Sequence, residues 1–105
     1  MTDKVIRDGK VAVIISRGFG AGWSTWNNSD AETAAWCRHD PGLVAAVEAG
    51  DIDKFRALAE AKDADLYIGG VDKDDLDIVW VAEGTPYYIH EYDGSERVVT
   101  TFPIA

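Results

Sequence analysis

Residues 17–27, RGFGAGWSTWN, hold the residue types in this chain that are best suited to ligand binding. Glycines let a ligand approach the backbone, and backbone N–H groups that turn inward bind phosphates and other anions. Aromatic rings stack on planar bases, which contributes about 1–3 kcal/mol per base in single-strand binders. We therefore predict a ligand-binding loop. Its candidate residues are Arg17, Gly18, Phe19, Gly20, Gly22, Trp23, Ser24, Trp26 and Asn27.

In this hypothesis Arg17 meets the charge of the ligand, the backbone of residues 18–22 donates hydrogen bonds, and Trp23 or Trp26 stacks on a ring. A structural alternative stays open, because two tryptophans three residues apart can also close the end of a small core. Two nucleotide-binding motifs are excluded. The glycine spacing departs from the dinucleotide fingerprint, and no Lys-Ser or Lys-Thr pair follows as in a P-loop.

The C-terminal hairpin is a second candidate site. A two-residue turn at Asp93-Gly94 predicts that His90 faces Arg97 and that Glu91 faces Glu96, unless a bulge at Gly94 shifts the register. The two glutamates would repel each other mildly unless one of them finds a partner. The opposite face could hold an anion and a ring, or it could be the ordinary exposed polar face of an edge hairpin. Its residues are Tyr88, His90, Tyr92 and Arg97.

Catalytic and metal-binding constellations are weak in this sequence. His39 and His90 lie far apart, and no serine elbow or carboxylate pair stands out. Cys37 is the only cysteine, so one chain can form neither a disulfide nor a cysteine-based zinc site. The stretch DKDDLD lacks the glycine and the final glutamate of a calcium loop. We predict no enzyme, no catalytic residue, no metal and no cofactor.

The charge of the chain is uneven. Residues 1–36 hold four acidic and four basic residues, whereas residues 37–105 hold fifteen acidic and six basic ones, so the net charge of −9 lies in the second part. Because binding to duplex nucleic acid needs Lys and Arg to displace counterions, we expect no such binding. We also expect no membrane span and no secretory signal, and thus a cytoplasmic protein. The simpler explanation of the acidic excess is a solvated surface, and the alternative is an acidic decoy for the basic groove of a partner.

The length of 105 residues predicts a single domain over residues 1–105, small enough for a homo-oligomer to add stability. Its first part predicts a hairpin, with strands at residues 4–7 and 11–16 around an Asp8-Gly9 turn. The run VAVII indicates a strand buried on both faces. Helix starts are predicted near Asp30, from a Ser29 and Glu32 capping box, at Asp40-Pro41 and at Asp51.

After the third helix the apolar period changes to two. A short strand is predicted at residues 66–68, and strands at 76–82, 86–92 and 96–102 are predicted to form an antiparallel meander. The expected architecture is α+β: a mostly antiparallel sheet, made of the N-terminal hairpin and the C-terminal meander, with two or three short helices on one face.

Three stretches, SRGFGAGWSTWN, DPGLVAAVEAG and EGTPYYIHEYDGSE, resemble a family of small bacteriophage and prophage proteins that have no assigned activity. The resemblance implies a setting rather than a mechanism. Small acidic phage proteins outside the virion are often accessory factors that counter host defence. At AAWCRH the chain departs from the family, so nothing is carried over to Cys37 or His39.

Two functions fit these features. In the first, a non-enzymatic accessory protein sequesters a small anionic or nucleotide-like ligand in the loop of residues 17–27. In the second, an acidic inhibitor mimics nucleic acid and blocks a host defence protein. Ionic strength separates them, because the decoy should weaken steeply with salt, whereas stacking in a pocket should weaken much less.

Overall fold

The computed structural model describes residues 3–18, 22–68 and 74–100, and it shows the predicted α+β class with antiparallel sheets. Phe19 and Gly20 of the predicted binding loop lie outside the described residues, as do residues 69–70 and 101–102. The elements follow one another as β1 (Ile6–Arg7), β2 (Lys10–Ser16), α1 (Ala31–His39), α2 (Pro41–Ala49), α3 (Ile52–Lys62), β3 (Leu76–Ala82), β4 (Tyr88–Tyr92) and β5 (Ser95–Val99).

Each helix begins after an aspartate whose side chain accepts a hydrogen bond from a backbone N–H in the first turn. These caps are Asp30 for α1, Asp40 for α2 and Asp51 for α3. The capping box predicted with Ser29 as the cap is therefore wrong by one residue, because Asp30 itself fills that position. Helix α2 ends at Ala49 and is capped by Gly50, which adopts a φ of 67° that glycine accommodates without strain.

The partner of β3 differs from the prediction. This strand pairs along its whole length with β2, from Lys10 opposite Ala82 to Ser16 opposite Leu76, while β4 and β5 form a separate two-stranded sheet. The predicted three-stranded meander is therefore wrong. A central strand that is buried on both faces needs a neighbour on each edge to satisfy its backbone, and β1 and β3 supply them. The strand predicted at residues 66–68 is also absent from the described structure.

The sheet β1–β2–β3 lies between two layers, the helices on one face and the β4–β5 hairpin on the other. The main core lies on the helix side. Its fully buried members include Ala12, Ile14, Trp23, Leu43 and Phe55. The second core lies under the hairpin. Its buried members are Val13, Ile15 and Val81, covered by Ile89 and Val98. Burial of β2 on both faces is thus confirmed.

Candidate functional site

The backbone around the Gly/Trp loop, which we define as residues 17–27, converges on one carboxylate. Glu96 of β5 is 2% exposed and accepts hydrogen bonds from the N–H groups of Ser16 (2.9 Å), Trp23 (3.1 Å) and Thr25 (3.0 Å). The Thr25 hydroxyl also donates to it. These donors are not the predicted ones at residues 18–22, and the anion that they bind belongs to the same chain. Glu96 thereby finds the partner that its position opposite Glu91 requires.

Trp23 belongs to the core rather than to a ligand surface. Its ring is fully buried, it lies 4.9 Å from the Phe55 ring between centroids, and its Nε1–H donates to the carbonyl of Cys37 over 2.6 Å. The prediction that Trp23 stacks on a ligand therefore does not hold in this structure. Its neighbour Ser24 is equally buried and accepts a hydrogen bond from Nε of Arg38 over 3.2 Å. The structural alternative is correct for this half of the loop.

Trp26 lies on the surface, where it forms an exposed ring pair with Tyr67. Trp26 is 39% exposed and Tyr67 is 42% exposed. Their ring centroids lie 5.2 Å apart, and the angle between the ring planes is 56°. Gly22 makes this arrangement possible, because a Cβ added to Gly22 would overlap the Trp26 indole. We call Trp26 and Tyr67 the aromatic platform. The tilted geometry is one that aromatic pairs favour.

Asn27 fixes the position of Tyr67 in the platform through side-chain hydrogen bonds. Its side chain is nearly fully buried, its Oδ1 accepts from the Tyr67 N–H over 2.7 Å, and its Nδ2 donates to the Tyr67 carbonyl over 3.0 Å. The same Nδ2 donates to the carbonyl of Trp23. One amide thus joins the loop to a segment forty positions away. Sequence reasoning did not find Tyr67, because nothing near it in the chain indicates that Asn27 is its partner.

Arg17 and Gly18, at the start of the predicted site, both lie against aspartate side chains. Nε of Arg17 lies 2.7 Å from Oδ2 of Asp77, and both side chains remain about half exposed. Gly18 faces Asp75, whose carboxyl group would overlap a Cβ added at that glycine. Arg17 is therefore paired within the protein, and the surroundings of Gly18 favour cations over anions.

The predicted register of the C-terminal hairpin is confirmed. His90 pairs with Arg97 and Tyr92 with Ser95, and the turn at Asp93-Gly94 has positive φ at both residues without a bulge. The exposed face carries the four predicted residues: Tyr88, His90, Tyr92 and Arg97. This face is a strand surface rather than a cavity, so it suits a macromolecular contact better than the enclosure of a small ligand.

A pocket of about 270 Å³ lies elsewhere, between the start of the chain, the end of α1 and the turn before β4. His39 occupies its base, with Nδ1 3.0 Å from the carbonyl of Ala12 and Nε2 2.9 Å from the hydroxyl of Tyr87. Because a carbonyl only accepts, Nδ1 carries the proton and Nε2 accepts from Tyr87. Lys4 also lines the pocket. Sequence reasoning assigned His39 to no binding site and missed this pocket.

The titratable groups here are held neutral. Burial lowers the pKa of His39, and the charges of Lys4 and Arg38 lower it further, against the opposing effect of the Ala12 carbonyl. Burial likewise raises the pKa of Tyr87.

Burial and the charge of Glu96 raise the pKa of the Cys37 thiol to about 12, so this thiol is inert. The described residues contain no group of three or more His, Cys, Asp or Glu side chains able to hold a metal.

Comparison with known proteins gives no relative. The chain matches no protein-family model, no curated protein and no solved structure. The longest helix among the described residues has eleven residues, and none of these helices has the length and apolarity needed to cross a bilayer.

Proposed function

We propose that this protein is a non-enzymatic binding protein that blocks a protein partner with a basic surface, using the aromatic platform as its anchor. The observation that carries the proposal is that Trp26 and Tyr67 are exposed and yet fixed in position. Buried Asn27 binds the backbone of Tyr67, and Gly22 leaves the space that the Trp26 indole fills. Tryptophan and tyrosine are the residues most often found at the energetic centre of protein interfaces.

The surroundings of the platform favour a cationic partner. Exposed Asp63 and Asp65 lie within four residues of Tyr67 in the chain, and exposed Asp30 follows Trp26 at the start of α1. In a chain with a net charge of −9, such carboxylates attract a basic protein surface and accelerate association. They also oppose the phosphates of a nucleotide. The acidic inhibitor is thus favoured over the capture of a small anion.

A second candidate function retains the exposed rings. In it, the platform stacks on the base of a nucleotide-like ligand, which the protein sequesters. The anionic part of that ligand would meet acidic groups beside the predicted donors at residues 18–22, because Glu96 is bound by the adjoining N–H groups of Ser16, Trp23 and Thr25 and the Asp75 carboxyl group lies against Gly18. This is why we place sequestration second.

The biological setting of the proposal rests on the resemblance to phage and prophage proteins. We propose a host defence enzyme as the partner and the host cytoplasm as the compartment, with a homo-oligomer as a further expectation. An acidic surface that occupies the nucleic-acid groove of such an enzyme would prevent its substrate from binding.

Affinity purification of the full chain from phage-infected cells, followed by native mass spectrometry, tests the proposal. We expect a bound polypeptide that dissociates as salt rises from about 0.1 M to about 1 M, because the Debye length falls from about 10 Å to about 3 Å. Trp26→Ala should lose this partner. Tyr92→Ala, which removes an exposed ring from the hairpin instead, should keep it.

Two results would count against the inhibitor. A nucleotide that is released on denaturation and retained at high salt would favour sequestration. A polypeptide partner that Trp26→Ala keeps and Tyr92→Ala loses would move the interface to the exposed hairpin face.

A further inference from the structure

The pocket at His39 has the composition of a binding site. Half of its lining surface is apolar, with contributions from Val11, Val81 and Pro86, and its polar side chains converge from separate segments. Lys4 comes from the start of the chain, His39 from the end of α1 and Tyr87 from the turn before β4. Small-molecule sites are concave and combine apolar contacts with a small number of polar groups that orient the ligand. The volume of about 270 Å³ suits a ligand no larger than one ring with a short substituent.

The polar groups at the base of this pocket are already fixed in orientation. The Ala12 carbonyl holds the proton of His39 on Nδ1, and the Tyr87 hydroxyl donates to Nε2. Neither ring needs to turn when a ligand enters, so these two side chains lose little conformational entropy on binding.

Lys4 is the one charged residue among the described residues that line this pocket. The two charged groups that act on His39 are both cations, Lys4 and Arg38, and both lower its pKa. Within the described residues Lys4 has no ion pair, whereas Arg7 and Arg17 are each paired with a carboxylate. Lys4 therefore has its full charge available to a ligand.

The geometry points to a binding site for a small organic carboxylate with an apolar body, whose carboxylate pairs with Lys4 while its body contacts Val11, Val81 and Pro86. The neutral His39 and Tyr87 form the floor against which the body rests. This site is independent of the aromatic platform and of the partner proposed for it.

Titration of the ¹⁵N-labelled full chain with three probes tests this inference. Benzoate carries both the charge and the apolar body, acetate carries the charge alone, and benzamide carries the body without the charge. We expect benzoate to give saturable shifts of backbone amides around the pocket and to bind at least about fivefold more tightly than either other probe, a difference in the range of one ion pair or one small apolar contact. The amides expected to shift are those of Lys4, Val11, Val81, Ala82, Thr85 and Tyr87.

Two lysine variants provide the matched comparison. Lys4→Met should raise the dissociation constant for benzoate about fivefold, because the charge that faces the ligand is lost. Lys10→Met, which removes a lysine outside this pocket, should leave it unchanged. Equal binding of benzoate and benzamide, equal binding of benzoate and acetate, shifts spread over other surfaces, or the same loss in both variants would each overturn the assignment.

Discussion

Trp23 and Glu96 lie 73 positions apart in sequence, yet the backbone N–H of Trp23 donates to the Glu96 carboxylate over 3.1 Å. The same carboxylate accepts from Ser16 at the end of β2 and from Thr25 in the loop. One side chain of the hairpin layer thus holds both the central sheet and the Gly/Trp loop. The sequence predicts a loop that binds an anionic ligand. In the folded protein, the N–H groups of Trp23 and Thr25 in this loop bind the Glu96 carboxylate instead.

Replacing this carboxylate should destabilise the protein strongly. Glu96→Ala leaves several buried N–H groups without an acceptor, so we expect a loss of about 3–5 kcal/mol in the free energy of unfolding. Glu96→Gln keeps one acceptor oxygen and should cost less. Urea denaturation measures both. Glu91→Ala, on the facing strand, removes a single bond to the Gly94 N–H and should cost about 1 kcal/mol; equal losses at the two positions would refute the assignment.

The two loop tryptophans should behave differently on truncation. Trp23→Ala opens a cavity beside Phe55 and should cost about 3–5 kcal/mol of stability. Trp26→Ala removes a ring that is already partly in water and should cost about 1 kcal/mol. Chemical denaturation monitored by far-UV circular dichroism compares them. A larger loss for Trp26 would mean that the platform is core and not surface.

Gly22 should be required only while Trp26 is present. Gly22→Ala places a Cβ against the indole and should cost about 1–3 kcal/mol. In a Trp26→Ala background the same substitution should cost far less, because its steric partner is gone. The coupling energy from this double-mutant cycle is the measurement. Additive losses would show that Gly22 is needed for its own backbone conformation instead.

Acidification should destabilise the fold through His39. Because burial lowers its pKa below the ordinary value of 6.5, the unfolded chain takes up the proton first as the pH falls. The contribution of neutral His39 is therefore complete above about pH 6.5 and declines below it, towards the lowered pKa of the folded protein.

Denaturation curves between about pH 7.5 and pH 5 should show this loss in the wild type. His39→Gln should flatten the profile over that range. His90→Gln changes the exposed histidine of the hairpin and should leave the slope as it is. A slope that survives His39→Gln would assign the effect to other groups.

Signals within a few residues could be identified from the sequence. The Asp8-Gly9 and Asp93-Gly94 turns adopt the positive φ angles that predicted them, and the hairpin register follows from the second turn. The helix starts at Asp40 and Asp51 likewise follow from local capping. The sequence also predicts that Glu91 lies opposite Glu96, but it does not indicate which groups bind Glu96.

Contacts between distant segments could not be identified in this way. The choice of β2 rather than β4 as the partner of β3 depends on which face of each strand must be covered. The pairing of Asn27 with Tyr67 and that of His39 with Tyr87 join segments 40 and 48 positions apart. Nothing in either local sequence specifies the other.

The turns, the caps, the doubly buried strand, the α+β class and the acidic excess all follow from the sequence, because each depends on backbone preference, period or composition. The burial of Trp23, the exposure of Trp26 and the binding of Glu96 by the N–H groups of Trp23 and Thr25 depend instead on long-range packing. Glu96 is 71 to 80 positions away from the residues whose N–H groups it binds, so this contact depends on how the hairpin packs on the sheet and not on any local pattern.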